Sequence, residues 1–492
     1  MAAARLVENV LARKGPGTFD IVMFSDEPGG TYNRILLPGV LSGSHAGPDI
    51  VTNPVDWYAS NGVTLHAGVR VEALDLDTRH IVDERGVRHP FDTLVLATGS
   101  RPIVPSIEGL VTADGSLVQG AFVFRTVDDC ARIAVAAAGA RRVAVVGGGL
   151  LGLEAARGLL GYGADVSVVH LAQHLMDAQL DPQAGTVLQR QLETMGMKIL
   201  TGKTTTSVLG DDGVEGLKFS DGSCLHCDLL VIAAGVRPNI ELARACGLRV
   251  GRGIVVNDTL SCPDVDGVHA LGDCAEHRGR VYGLVAPAWD QAEILADRLT
   301  ERRPDATYVG SRFATKLKVA GIDVAVMGDR DAREDDETIS YSEPSRGIYG
   351  KVIVRDNRVA GAILIGAASV VPSVVQRFLD ASLAPPQRSE LLFPPTGDAP
   401  AASVEAIPDA ARICDCNAVA KAQIVEAVLN GARSLRAVCE HTRAGTGCGS
   451  CRPEVQRIVD FVCREVADTA APGHEVTAEG VGPPLGGNHA SA

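Results

Sequence analysis

The sequence lacks a surplus of basic residues and lacks a long uncharged hydrophobic run. Its 46 Lys and Arg residues are outnumbered by 60 Asp and Glu residues, and the net charge is −14 with His counted as neutral. This balance disfavours a nucleic-acid-binding protein, which needs a positive field to displace the counterions of phosphates. No charge-free apolar run reaches roughly 18 residues, so the sequence contains no candidate membrane span. No basic and apolar signal segment opens it either, and we expect a cytoplasmic protein.

Glycine and cysteine are present in numbers that suggest cofactors. Glycine accounts for 54 of the 492 residues, above the usual ~7%. Such a surplus is typical of folds in which the backbone approaches a nucleotide closely. The 12 cysteines of an acidic, cytoplasmic chain indicate metal or redox sites before they indicate disulfides.

Apolar runs of Val, Ile and Leu alternate with helical stretches over the first ~300 residues, which predicts parallel strands joined by helical crossovers. From about Ser311 to Leu379 the pattern becomes strand-like, and a Pro- and Ala-rich stretch at 386–411 predicts a linker. A helical module with four spaced cysteines follows, and the Gly- and Ala-rich residues 466–492 are expected to be a disordered tail. We therefore predict an α/β protein with two Rossmann-like three-layer domains, a small α+β domain and a helical module.

The strongest nucleotide signal is an apolar strand, Val143–Val146, that ends in a glycine turn and leads directly into a helix. The turn has the spacing Gly147-x-Gly149-x-x-Gly152, followed by Leu153 and Glu154. Such a turn brings the diphosphate of a dinucleotide against the helix amino terminus. We expect NADH or NADPH to bind here.

The end of the next strand leaves the choice of coenzyme open. The acidic residue expected there to bind the ribose 2′-hydroxyl of NADH is absent, and Val169 is followed by His170. Histidine can hydrogen-bond a hydroxyl or, when charged, approach a phosphate. A strand-end histidine with no ligand role is the alternative.

Two further strand ends complete a pattern on both sides of the glycine turn. Leu94–Ala97 leads to Thr98 and Gly99, and Val268–Leu271 leads to Gly272 and Asp273; the segment around Gly235 echoes the first of these. In this order the motifs resemble the pyridine nucleotide–disulfide oxidoreductase superfamily over roughly residues 1–300. The resemblance implies FAD at Thr98, Gly99, Gly272 and Asp273, with NAD(P)H at Gly147–Gly152, Glu154, His170 and Gly235.

One element of that superfamily is missing from the beginning of the sequence. The family begins with a strand and its own glycine motif for FAD, whereas Met1–Glu8 reads like the helix that normally follows them. We expect a wrongly assigned start; a truncated chain with an impaired FAD site is the alternative. On the following strand, Asp26 or Glu27 is the expected partner of the FAD ribose.

Disulfide reduction beside the flavin is excluded, because the stretch that carries the two cysteines in disulfide reductases, Gly29–Leu37, contains none. Arg34 in this stretch is expected to contact the flavin or its phosphates, with a surface arginine as the alternative. Cys224-x-x-Cys227 is interpreted as a pair of strand-edge thiols, since no second pair completes a zinc site.

Near the carboxyl end, Cys414-x-Cys416 and Cys448-x-x-Cys451 are separated by two predicted helices, Val419–Leu429 and one that begins after Ser434 as its N-cap. Four thiolates at helix ends suit a [2Fe-2S] cluster. Zinc would fit four thiolates equally well by geometry. The spacing also resembles the bacterioferritin-associated-ferredoxin-like (BFD-like) [2Fe-2S] domain, and this context favours iron and sulfide.

Over residues 1–465 the sequence resembles two related families: the amino-terminal part of assimilatory nitrite reductase large subunits and the electron-transfer subunit of assimilatory nitrate reductases. The matching motifs are Tyr32–Leu37, Thr315–Val324 and Val169–Leu171. The resemblance implies an NAD(P)H-dependent reductase that passes electrons through FAD and a [2Fe-2S] cluster to a separate nitrate or nitrite reductase, and it allows a homodimer. The sirohaem domain of complete nitrite reductases is not part of this sequence, so we expect no nitrite reduction by this chain alone.

The resemblance also divides the chain. It implies an FAD-binding domain at 1–125 and 255–305, an NAD(P)-binding domain at 126–254, a small domain at 311–385 and a cluster module at 412–465. A rubredoxin- or ferredoxin-type reductase or an oxidase subunit is an alternative function, and a non-catalytic iron–sulfur subunit that has lost FAD is another.

Overall fold

The computed structural model describes residues 1–263, 265–312, 314–394 and 404–470. The amino-terminal stretch contains α1 (Ala2–Lys14), β1 (Ile21–Ser25), β2 (Thr31–Tyr32), α2 (Leu37–Leu41), β3 (Val51–Asn53), α3 (Val55–Ser60), β4 (Val63–Ala67), β5 (Val71–Asp75), β6 (His80–Asp83), β7 (Arg88–Pro90), β8 (Leu94–Leu96) and β9 (Ser100–Pro102). Strands β5, β6 and β7 form an antiparallel sheet.

The next stretch holds the most complete sheet of the molecule. Its elements are β10 (Ala121–Val123), α4 (Val127–Ala137), β11 (Arg142–Val146), α5 (Leu150–Leu160), β12 (Asp165–Val169), α6 (Pro182–Thr194), β13 (Lys198–Leu200), β14 (Thr205–Leu209), β15 (Gly216–Phe219), β16 (Cys224–His226), β17 (Leu229–Ile232) and β18 (Val236–Pro238). A parallel sheet runs in the order β10-β17-β11-β12-β13. Side chains of β11, β12 and β17 are almost wholly buried, as expected of strands covered on both faces.

The chain then returns to the amino-terminal region through α7 (Glu241–Ala245), β19 (Ile254–Val256), β20 (Val268–Ala270), β21 (Ala275–His277) and α8 (Val285–Leu299). Strand β20 pairs in parallel with β8, and α8 packs against α1. The region of β1, β4, β8 and β20 is called the FAD-side region below, and the region of the five-stranded parallel sheet is called the NAD-side region. The antiparallel pair β9 and β18 joins the two regions.

The parallel strands of the FAD-side region fall into two separate pairs. One pair is β1 with β4 and the other is β8 with β20, and no strand of the described residues joins them. In the NAD-side sheet the corresponding central position is filled by β11, which lies between β17 and β12. The side chain of Val22 on β1 is 43% exposed, as expected of a strand with an open edge.

The small third region is an antiparallel sheet with one helix. It contains β22 (Ala314–Val319), β23 (Ile322–Gly328), β24 (Glu337–Glu343), β25 (Ile348–Arg355), β26 (Arg358–Ile365) and α9 (Val371–Asp380), in the sheet order β22-β23-β26-β25-β24. Of the predicted linker, residues 395–403 lie outside the described residues.

The cysteine module contains β27 (Arg412–Cys414), β28 (Val419–Ala420), α10 (Lys421–Leu429), α11 (Leu435–Thr442) and α12 (Arg452–Ala470). Helix α10 begins at Lys421 and not at Val419 as predicted, because Val419 pairs with Cys414 in a short antiparallel ladder. Ser434 is confirmed as the N-cap of α11, since its hydroxyl accepts a hydrogen bond from the Ala437 amide. Helix α12 extends to Ala470, beyond the start of the expected tail, and residues 471–492 lie outside the described residues.

The cysteine module has an apolar core of its own. The largest core joins the five-stranded parallel sheet to residues around Leu37 and Leu41 of α2 and to strands β23 and β26 of the third region. Within the described ranges, no helix is both long enough and apolar enough to cross a bilayer.

Candidate functional site

The glycine turn between β11 and α5 is shaped by close backbone contacts. Gly147 has a φ of +126°, and a side chain on it would meet the Ala233 carbonyl oxygen at 2.1 Å. A Cβ on Gly152 would lie 2.0 Å from the Gly147 oxygen, so α5 can pack on its strand only with glycine there. Gly149, the N-cap of α5, has nothing within 4 Å of a Cβ position and leaves open space. The turn fits a diphosphate held at the α5 amino terminus.

His170 lies beside this turn and is engaged within the protein. Its Nδ1 accepts a hydrogen bond of 3.1 Å from the Gly148 amide, and its Nε2 lies 3.0 Å from Asp177 Oδ1. A carboxylate is therefore close to the coenzyme site, although it comes from Asp177 and not from the end of β12. The role of His170 in coenzyme choice stays a prediction.

Glu154 lies in the first turns of α5, next to Leu153. Burial raises the pKa of Glu154 to about 8, and the negative charge of the Cys448 thiolate adds to the increase. The carboxyl is therefore mostly protonated at neutral pH.

The residues expected near the flavin form a network around Arg34. Arg34 Nη1 donates to the Tyr32 hydroxyl at 2.8 Å and to the Arg125 carbonyl at 3.0 Å, and Arg34 also pairs with Glu27. Asp26, the other expected ribose partner, is exposed.

The second flavin signal lies next to this network. Asp273 Oδ2 accepts hydrogen bonds from Ser100 Oγ at 2.7 Å and from Arg125 Nη2 at 3.2 Å. The Gly272 amide donates to Gln291 Oε1 on α8 at 2.7 Å. These contacts fix the loop after β20, with one carboxylate among donors that a ribityl hydroxyl could share.

Thr98 and Gly99 contact the NAD-side region directly. Thr98 Oγ1 donates to the Asn239 carbonyl at 2.7 Å, and the Asn239 amide donates to the Gly99 carbonyl at 2.9 Å. Gly235 sits at the other end of the same ladder, where its carbonyl accepts from the Ile103 amide at 2.9 Å. The turn at Thr98 and Gly99 and the turn at Gly235, which have similar sequences, are therefore held next to each other by hydrogen bonds.

The charged groups around the amino terminus of α1 fit the diphosphate of FAD. Arg34 lies against Met1 at this end of the helix, and Arg34 and Arg125 pair with the carboxylates of Glu27 and Asp273 respectively. Two guanidinium groups and a helix amino terminus form a setting that favours phosphate.

The four cysteines of the module line one pocket. Cys416 Sγ and Cys448 Sγ lie 3.3 Å apart, and Cys414 is hydrogen-bonded to Cys451. Gly447 must be glycine, because a Cβ there would lie 2.7 Å from Cys416 Cβ. The loop before Cys448 can therefore close over the thiols.

The surroundings of the thiols favour negative sulfur. The hydrogen bond from Cys451, followed by backbone amides of Gly445 and Asn417, lowers the pKa of Cys414 to about 7. The hydrogen bond from Cys416 and further bonds from Ser450 lower the pKa of Cys448 to about 6. The two donating thiols, Cys451 in the pair with Cys414 and Cys416 in the pair with Cys448, have a raised pKa instead.

The arrangement of the thiols in two pairs fits a two-iron cluster, in which each iron takes two cysteines. A zinc ion would need its ligands around a single point. The paired thiols and the N–H donors around them therefore fit a [2Fe-2S] cluster better than zinc.

Cys224 and Cys227 lie away from this site. Cys224 is exposed at the start of β16, and Cys227 is buried after its end, where burial raises the pKa of its thiol to about 12. A protonated buried thiol is a poor nucleophile and metal ligand.

Several residues of the site were not predicted from the sequence. They are Arg125, Asp177, Gln291, Trp289 and Asn417, which contact the glycine turns, the flavin-side loop or the cysteine loop. None belongs to a spaced motif. Asn417 alone had a local signal, since it directly follows Cys416.

Comparison with known proteins assigns each part of the chain. The profile of the family described as pyridine nucleotide-disulphide oxidoreductase matches residues 2–292. The BFD-like [2Fe-2S] binding domain matches residues 412–460, and the rubredoxin NAD+ reductase C-terminal domain matches residues 314–376.

Two proteins of Bacillus subtilis (strain 168) resemble nearly the whole chain. One is a nitrite reductase [NAD(P)H], 39% identical over 96% of this chain, and the other is an assimilatory nitrate reductase electron transfer subunit, 39% identical over 94% of it. The chain spans 58% of the length of each.

Among solved structures, NADH:rubredoxin oxidoreductase from Clostridium acetobutylicum shares the fold, with a TM-score of 0.65 at 21% identity over 80% of this chain and 96% of that one. A ferredoxin reductase from Rhodopseudomonas palustris has a TM-score of 0.66 at 25% identity, over 74% of this chain and 88% of that one. These matches imply FAD and NAD(P)H in the first two regions and a [2Fe-2S] cluster in the module. The chain belongs to the pyridine nucleotide-disulphide oxidoreductase family, as an NAD(P)H-dependent flavoprotein oxidoreductase that carries a BFD-like [2Fe-2S] domain.

Proposed function

We propose that this chain is the electron-transfer reductase of an assimilatory nitrate- or nitrite-reducing system in the cytoplasm. The observation that carries the proposal is the position of the cysteine module against the flavin-side helices α1 and α8. The Cys416 carbonyl accepts a hydrogen bond from Trp289, two residues from the Gln291 that holds the loop of Gly272, and the Asn417 carbonyl accepts one from Arg5 of α1. The four thiols therefore lie beside the segments expected to hold the flavin, which supports transfer of single electrons from it.

Different residues of the chain bind the coenzyme and orient the flavin. The turn Gly147–Gly152 binds the coenzyme diphosphate, and Arg34 and Asp273 orient the flavin. Arg34 and Asp273 would hold FAD, which would supply hydride acceptance from NAD(P)H, and Cys414, Cys416, Cys448 and Cys451 would hold a [2Fe-2S] cluster, which would supply one-electron transfer. Hydride transfer needs no side-chain acid or base, so we assign no catalytic residue.

The acceptor in this proposal is a separate catalytic nitrate or nitrite reductase. Support comes from the relatives, one named as a nitrite reductase and another as the electron transfer subunit of an assimilatory nitrate reductase. A homodimer is compatible with the proposal, and its presence is measured by the mass of the purified protein in solution.

The test uses protein purified without air and mixed with NADH or NADPH. We expect the flavin to be reduced first, the cluster next, and nitrate or nitrite to be consumed when the catalytic partner is added. Cys451→Ala serves as the control, because it removes one thiol of the cluster site. Flavin reduction without cluster reduction in the unmodified protein would refute the proposal. Protein that binds no flavin would support the iron–sulfur subunit without FAD instead.

A rubredoxin- or ferredoxin-type reductase is the second candidate, because the third region matches the rubredoxin NAD+ reductase C-terminal domain. In that case electrons would leave from the flavin, and the module would not be needed. Turnover with rubredoxin or ferredoxin that survives in Cys451→Ala would favour this second function.

A further inference from the structure

Three consecutive residues of α8 contact both halves of the electron-transfer site. Trp289 Nε1 donates a hydrogen bond of 3.0 Å to the carbonyl of Cys416 in the cysteine loop. Asp290 Oδ1 accepts one of 2.6 Å from Arg412, at the entry of the module. Gln291 Oε1 accepts one of 2.7 Å from the Gly272 amide, in the loop expected to hold the flavin.

The geometry of an α-helix explains how three consecutive residues can contact two different segments of the chain. Successive side chains of an α-helix point about 100° apart, so three in a row face in three directions. One turn of α8 can therefore touch the flavin-side loop with Gln291 and the module with Trp289 and Asp290. This turn of α8 therefore links the loop of Gly272 to the cysteine module.

The contacts between the module and the rest of the chain differ in burial. The ion pair of Arg412 with Asp290 has side chains 32% and 28% exposed, and that of Arg443 with Glu8 has side chains 39% and 19% exposed. Pairs with this exposure are weakened by salt and add little to stability. They cannot by themselves hold the module in one position.

Trp289 is more deeply placed than either ion pair. It is 7% exposed, and the guanidinium of Arg5 lies 4.6 Å from the centre of its ring. Arg5 in turn donates to the Asn417 carbonyl at 2.9 Å, next to Cys416 in the same loop. Trp289 and Arg5 thus donate hydrogen bonds to two adjacent carbonyls of the cysteine loop, those of Cys416 and Asn417, in a site that water reaches poorly.

We propose that Trp289 is a positioning residue that holds the [2Fe-2S] module in the place where it receives electrons. The claim that electrons are received at this position rests on the proposed function. The claim that Trp289 holds the module there rests on the contacts alone. The indole N–H fixes the Cys416 carbonyl, and thereby the loop that carries two of the four thiols, Cys414 and Cys416.

The test compares Trp289→Phe with Trp57→Phe, which replaces the other of the two tryptophans. Trp57 lies in α3, stacked edge-on against Tyr58. The phenylalanine at position 289 keeps an aromatic ring and removes the N–H donor. Iron and acid-labile sulfide per chain are measured first, and both variants should equal the unmodified protein, which shows that the module is folded and loaded.

Two measurements then distinguish an effect on the position of the module from an effect on flavin reduction. In anaerobic stopped-flow with NADH or NADPH, Trp289→Phe should leave flavin reduction unchanged and slow cluster reduction severalfold, because the module no longer rests in one receiving position. In small-angle X-ray scattering without any electron donor, the same variant should show a larger radius of gyration at high salt, where the ion pairs are screened. Trp57→Phe should change neither quantity.

The outcomes have distinct meanings. Cluster reduction at the unmodified rate, together with an unchanged radius of gyration in Trp289→Phe, would overturn the role of Trp289. If the unmodified protein reduces its cluster with neither NADH nor NADPH, the proposed function fails, and the scattering comparison still decides whether Trp289 positions the module.

Discussion

The carboxylate of Asp297 holds helix α1 against helix α8, the helix that carries Trp289 and Gln291. Its side chain is 1% exposed, and it accepts hydrogen bonds from Arg13 Nε at 2.7 Å and Arg303 Nε at 2.6 Å. The side chain of Arg13 is itself 7% exposed. Breaking a buried pair of this kind leaves a guanidinium without its counter-charge and costs about 3–5 kcal/mol.

Asp297→Asn keeps the size of the side chain and removes its charge. Arg13 retains Glu293 as a partner, and the Glu293 side chain is 50% exposed, so we expect a loss near the lower end, about 3 kcal/mol of unfolding free energy. The control is Glu440→Gln, which breaks an ion pair whose side chains are 89% and 65% exposed and should cost no more than about 0.5 kcal/mol. Urea unfolding at neutral pH, followed by circular dichroism and fluorescence, measures both.

The pH dependence of this loss follows from the pKa of Asp297. Burial acts to raise that pKa, but the hydrogen bonds from Arg13 and Arg303 outweigh it, and the pKa lies below its usual value. The stabilisation is therefore complete above the unfolded pKa of about 3.9 and is lost as the pH falls through the lower folded value. The difference between the two proteins should stay constant from about pH 7 to about pH 5 and shrink below about pH 4. Equal losses for Asp297→Asn and Glu440→Gln at neutral pH would refute the reasoning.

Two further predictions concern the cofactor sites. Cys451→Ala should abolish iron and sulfide binding and leave NAD(P)H oxidation by ferricyanide in place; an unchanged iron content would contradict the ligand set. Gly152→Ala should raise the KM for NAD(P)H roughly 10- to 100-fold, because the new methyl group would lie 2.0 Å from the Gly147 oxygen. Gly139→Ala is its control, since the nearest atom to its Cβ position is 4.0 Å away; equal KM values for these two variants would count against a tight turn at Gly152.

The parts of the site that sequence reasoning found are those encoded by short spacings. The turn Gly147–Gly152 needs glycine for contacts made within a few residues, so its pattern is visible in one segment. The cysteines Cys414, Cys416, Cys448 and Cys451 are visible for a similar reason, because each pair belongs to one loop. The family, the fold class and the cofactors were predicted correctly from these motifs.

The parts that sequence reasoning missed depend on contacts between distant segments. Trp289 and Cys416 are 127 residues apart, and nothing around Trp289 in the sequence marks it as a partner of the cysteine loop. Gln291 is an ordinary polar residue of an amphipathic helix until its helix packs under the loop of Gly272. Asp177, whose carboxylate contacts His170, lies in a loop, and loops have no period from which a position can be predicted.

The linker predicted from the sequence and the docked module observed in the structure are compatible, for a reason that lies in the interface. Apart from the contacts of Trp289 and Arg5, the module is held by the partly exposed ion pairs of Arg412 and Arg443. Water can replace such contacts at a modest cost in free energy, unlike the burial of a large apolar face. Under the proposed function the cluster has to receive electrons near Trp289 and then deliver them to another protein. An interface of replaceable polar contacts around one buried indole N–H permits both steps, because it defines a single receiving position without making release from it prohibitive.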